Sequence, residues 1–209
     1  QCITLYQVCM MVGNLSTRKN KCHNIYLGIN LIIIDTLTSF LAHFDFNICF
    51  SIISIIVLFL WLFIIVNSFP TRFNLPSKSD WLKILLLVAI NEIIFYVTVN
   101  HISNIQLSRI SDFKLNVASM FMAIIIGPVI EEIIFRGIIA NCFKNETINM
   151  IVSCLLFAFL HGSMNFIAII LYLIFALSSF YLYKKNGHLI DSILFHIFFN
   201  LISIFFTYS

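Results

Sequence analysis

Charge is what this chain has least of. Only 10% of its 209 residues are Asp, Glu, Lys or Arg, where a soluble domain carries about 25%. Intrinsic disorder, which needs many charges and few apolar residues, is thereby excluded. The net charge of +3 is too small to point to nucleic acid as a partner. Proline is scarce as well, three residues against 23 phenylalanines. The six cysteines (Cys2, Cys9, Cys22, Cys49, Cys142, Cys154) are scattered, mostly through apolar runs. With no C-x-x-C pair among them, a disulfide-stapled module, a zinc ribbon and a dithiol redox centre are all disfavoured. What the chain does have is apolar surface: 61% hydrophobic residues and a mean hydropathy of +1.02. It reads as an integral membrane protein.

A bilayer core of about 30 Å takes roughly 20 apolar helical residues to cross. The clearest span is Ile48 to Phe69, uncharged throughout and stopped by Pro70. The others are Tyr26 to His43, Trp81 to Val99, Val117 to about Phe143, Ile148 to Leu160, Met164 to Tyr183 and His188 to Thr207. The expected fold is therefore all-α, a polytopic transmembrane bundle of about seven helices. Gln1 to Gly13 is apolar but too short to span and is left unassigned.

The basic residues orient the bundle. Arg18, Lys19, Lys21, Arg72, Lys78, Lys83, Lys144, Lys184 and Lys185 fall on one side, and only Arg109 and Lys114 on the other. By the positive-inside bias the N-terminal basic loop is expected in the cytoplasm and the C-terminus outside. The Ile-, Phe- and Asn-rich usage points to a bacterial plasma membrane.

In such a chain the informative residues are the polar ones inside the spans, since a charged side chain at the bilayer centre costs roughly 2.5 to 3.5 kcal/mol. They are Asp35, Asn91 with Glu92, Glu131 with Glu132 and Arg136, His161, Asp191, and His196 with Asn200. In the fourth span, Pro128 cannot donate to the Ile124 carbonyl and is expected to bend the helix just before two carboxylates. Glu132 and Arg136 stand one turn apart in the favourable order, acid first. Glu131 lies about 100° around the helix and faces elsewhere. One acid can thus be neutralised by the arginine while the other faces a cavity.

His161 closes the fifth span, and His196 and Asn200 share one face of the seventh. At 1.5 Å per residue, Glu131 lies roughly 18 Å, His161 about 20 Å and His196 about 12 Å from the cytoplasmic helix ends. All three then occupy one layer, provided the fourth helix runs on past Arg136. The plainer alternatives are a snorkelling helix-end ion pair and unrelated packing contacts.

Glu131-Glu132-x-x-x-Arg136, Phe157-x-x-x-His161 and His196-x-x-x-Asn200, in this order on three membrane helices, resemble the CPBP family of CAAX proteases and bacteriocin-processing enzymes, also called the Abi family. Its members include the type II CAAX prenyl endopeptidases. The resemblance covers roughly Val117 to Thr207, which implies a division into N-terminal membrane helices (1–115, about three spans) and a catalytic core (116–209, about four). It implies an intramembrane endopeptidase acting, amid membrane lipid, on a membrane-associated, prenylated or leader peptide. By that resemblance Glu131 activates a water, His161 helps to hold it, His196 and Asn200 stabilise the oxyanion, and Glu132 and Arg136 support them.

No cofactor is favoured. Glu131, His161 and His196 are nevertheless a possible zinc set with an open position for water. Metal-ligating histidines usually have orienting partners, and only Asn200 and Asp191 stand out for that task in the sequence. There is no H-E-x-x-H and no G-x-S-x-G, which disfavours site-two-type zinc proteases and serine hydrolases. The rival classes are a small proton-coupled transporter, with Asp35, Glu92 and Glu131 as its relay, and a non-catalytic immunity or scaffold protein. Paired halves with matching broken helices, which a transporter would favour, are not evident.

Overall fold

The computed structural model describes residues 75–102, 120–161 and 165–208. The first two expected spans, Asp35 and residues 162–164 lie outside these residues, as do Arg109 and Lys114. All the described elements are helices: α1 (Lys78–Ile102), a composite helix α2 (122–141), α3 (Glu146–His161), α4 (Phe166–Asn186) and α5 (Leu189–Tyr208). Three stretches among them, Lys78–Asn100, Phe166–Lys185 and Leu189–Phe206, are long and apolar enough to cross a membrane, and α3 is a shorter apolar helix.

Their ends are set by local chemistry. Ser77 and Asp80 form a reciprocal capping box at the start of α1, each backbone N–H donating to the other's side chain at 3.3 Å. Asn145 accepts from the N–H groups of Thr147 and Ile148 at the start of α3. Asn165 does the same for Ile167 and Ala168 at the start of α4. Gly187, at φ 66°, ends α4 in the left-handed conformation that glycine adopts without strain.

Helix α1 packs on α5 and α4, α3 lies along α4, and α5 also contacts α2. The sides turned away carry Leu85, Leu86, Ile93, Phe159 and Phe205, all exposed. In lipid such residues need no cover, and the interior is held by close packing and polar contacts between helices.

Helix α2 departs from the expected single bent helix. It begins with a π turn (Met122–Ile126), continues as α-helix (Gly127–Glu132), widens again into π (Ile133–Ile138) and closes as a 3-10 turn (Ile139–Asn141). The first π turn directly precedes Pro128, which has no N–H to continue the ordinary ladder. The carbonyls around the second find side-chain donors. Ser153 Oγ donates to Phe135 O at 2.8 Å, and Asn141 Nδ2 to Arg136 O and Gly137 O at 2.9 and 3.0 Å. The helix thus runs past Arg136, as the depth argument requires, and ends two residues short of Phe143.

Candidate active site

The site forms where α2, the end of α3 and the middle of α5 meet, with α4 behind it. Glu132 and Arg136 are its buried floor, both with no exposed side-chain surface. Their ion-pair distance is 3.2 Å, from Arg136 Nε to Glu132 Oε2. Arg136 Nη2 donates to the Ala176 carbonyl at 3.1 Å, and the guanidinium lies 4.8 Å over the Phe157 ring. Ser179 Oγ donates to Glu132 Oε2 at 2.7 Å. A mid-membrane carboxylate is tolerable here because a cation and two further polar partners surround it.

The third partner is His196, whose Nδ1 lies 3.0 Å from Glu132 Oε1. An ionised carboxylate accepts only, so Nδ1 carries the proton and Nε2 is the free end of the ring. The same logic fixes His161. Its Nδ1 is 2.9 Å from the carbonyl of Phe157, one turn back, so it too is protonated at Nδ1 and turns Nε2 outward. Phe157 also stacks on the His161 ring at 4.2 Å between centroids, and Tyr172 lies 5.3 Å from it on the α4 side.

Both free ends meet Glu131. Its Oε2 stands 3.3 Å from His161 Nε2 and 3.7 Å from His196 Nε2. Glu131 and His161 are about a quarter exposed, whereas the Glu132–Arg136 pair is sealed. Glu131 therefore keeps exposed side-chain surface that Glu132 lacks, while its Oε2, which faces the two imidazoles, is buried.

The structure thus brings Glu131, His161 and His196 together, with Glu132 and Arg136 directly beneath. Asn200 is placed differently: its Nδ2 donates to the backbone carbonyl of Ala123 at 2.9 Å. The orienting partners of the two histidines are the Phe157 carbonyl and Glu132. The sequence pointed instead to Asn200 and Asp191, and Asp191 is buried in the first turn of α5. Ser179 was missed as well. Its available signal was the Ser178-Ser179 pair in the middle of an apolar span.

Two imidazoles and a carboxylate are a zinc-type donor set, and both rings are held through Nδ1 as metal-ligating histidines often are. Their arrangement does not make a cage, however. Among the described residues no group of three or more His, Cys, Asp and Glu side chains is disposed to hold a metal ion.

Residues 113–202, which include every one of these side chains, match the family model described as type II CAAX prenyl endopeptidase Rce1-like. This part of the chain is similar to that family. The match bears out the resemblance carried by the three motifs and supports a membrane peptidase. A curated relative, the UPF0177 protein YaiF of Lactococcus lactis subsp. lactis (strain IL1403), is 26% identical over 167 residues, covering 72% of this chain and 76% of the relative. No solved structure is a significant match.

Proposed function

We propose that this chain is an intramembrane endopeptidase that cleaves a lipid-tailed or membrane-embedded peptide with a water activated by Glu131, without a metal. The observation that carries this reading is the convergence of His161 Nε2 and His196 Nε2 on Glu131 Oε2, at 3.3 and 3.7 Å. In this scheme a water beside Glu131 gives its proton to the carboxylate as its oxygen attacks the scissile carbonyl. His161, tied at Nδ1, steers that water. Protonated His196 donates Nε2–H to the developing oxyanion while Glu132 balances its charge through Nδ1–H. Collapse of the tetrahedral intermediate breaks the C–N bond, and Glu131 returns the proton to the leaving amine. Arg136 holds Glu132 in place.

The positive-inside bias favours Lys78, Lys144, Lys184 and Lys185 on the cytoplasmic side, and the Ile-, Phe- and Asn-rich usage favours a bacterial plasma membrane. The site would then be reached laterally by an apolar substrate. The test is cleavage of a membrane-tethered peptide in defined lipid by the full chain. Glu131→Gln, His161→Ala and His196→Ala are each expected to lower the rate by at least about a thousandfold with the fold retained. Cleavage that survives Glu131→Gln removes Glu131 as the base.

A further inference from the structure

The Asn200 amide donates to a backbone carbonyl of α2, and the reason lies in Pro128. In the first π turn of α2 the Gly127 N–H reaches past Ala123 to the Met122 carbonyl. The next backbone donor in line would be residue 128, a proline with none. The Ala123 carbonyl is thereby deprived of a donor from its own helix, in a setting where bulk water is scarce. Asn200 Nδ2 stands 2.9 Å from it.

We infer that Asn200 is a positioning residue, whose amide replaces the backbone donor missing at Pro128 and so fixes the pitch of the helix that presents Glu131. The inference rests on the peptidase reading of Glu131. Helix α5 grips α2 on both sides of the proline, through Asn200 to Ala123 before it and through His196 to Glu132 after it. Glu131 lies between these two clamps. Space is tight there. A Cβ at Gly127 would come within 3.1 Å of the Met122 carbonyl and 4.0 Å of Glu131 Oε1.

A cycle of Asn200→Ala and Pro128→Ala in the full chain tests this, because alanine at 128 returns an N–H to the helix. With Pro128 present, Asn200→Ala is expected to lower kcat about a hundredfold with KM little changed, the scale of a small misplacement at the reacting centre. In the Pro128→Ala background the same change is expected to cost only a few-fold. An equal loss in both backgrounds makes Asn200 a direct oxyanion donor and overturns the inference. Should Pro128→Ala itself be inactive, the cycle is read by thermal unfolding in detergent. Asn200→Ala is then expected to lower the midpoint only when Pro128 is present, and an equal lowering in both backgrounds overturns it. If the unaltered chain cleaves no peptide, the peptidase reading fails, while the thermal cycle still judges the clamp.

Discussion

Glu132 and His196, 64 residues apart, form a buried acid–imidazole pair, Oε1 to Nδ1 at 3.0 Å. Because the other oxygen of Glu132 is held by Arg136 and Ser179, the carboxylate cannot turn away and the ring cannot flip. The second acid of the Glu131-Glu132 doublet thus orients the histidine that faces the first.

Glu132→Gln removes the anion and leaves Arg136 buried without its partner. Breaking such a pair from one side costs about 3–5 kcal/mol, and losing an orienting partner lowers activity by about 10- to 100-fold. Both effects are expected, in thermal unfolding and in peptide cleavage. Ser179→Ala, which removes one hydrogen bond to the same carboxylate, is expected to cost about 1–3 kcal/mol and less activity than Glu132→Gln. Unchanged cleavage in Glu132→Gln would show that His196 needs no orienting acid.

Phe157 gives its carbonyl to His161 Nδ1, stacks on that ring, and lies beneath the Arg136 guanidinium. A leucine keeps the backbone carbonyl and much of the volume but loses both ring contacts. Phe157→Leu is therefore expected to lower kcat roughly tenfold with KM nearly constant, and Phe157→Ala to cost about 3–5 kcal/mol of stability besides. Steady-state kinetics separate the two. A Phe157→Leu enzyme with wild-type kcat would reduce the aromatic to filler.

The motif spacings made much of this site legible. Four-residue intervals predict that Glu132 faces Arg136, and helix rise puts Glu131, His161 and His196 in one layer. Periodicity could not reveal the π turns, because they go with competition for donors around Pro128, with Ser153 reaching in from α3 and with Asn141 reaching back along its own helix. The same blindness hid the destination of Asn200, which is a backbone carbonyl, a group every residue carries. Ser179 was hidden because a serine in an apolar helix has many possible partners, and only packing selects Glu132.

Metal dependence has a direct check. If Glu131 activates the water without a metal, cleavage is expected to persist in 1,10-phenanthroline, and metal analysis of the active protein to find zinc well below one ion per chain. Complete loss of activity, reversed by added zinc, would make Glu131, His161 and His196 ligands and replace the base mechanism with a metal-bound water.

Glu92 offers the contrast that separates a peptidase from a proton carrier. It is a third buried carboxylate in the described helices, on α1, and it accepts a hydrogen bond from Ser203 on α5. Ser203 stands seven residues beyond His196, on the same side of α5 as His196 and Asn200, so this bond ties α1 to the helix that carries the site. Its effect is on packing rather than chemistry. Glu92→Gln keeps an oxygen for Ser203 and is expected to leave peptide cleavage within a few-fold of wild type, with about 1 kcal/mol or less lost in stability. A relay through Glu92 predicts otherwise, since an amide cannot pass the proton on. Proton flux in vesicles that depends on the unaltered chain and vanishes in Glu92→Gln would favour the transporter, whereas cleavage lost in Glu131→Gln and kept in Glu92→Gln assigns the chemistry to the α2–α3–α5 site.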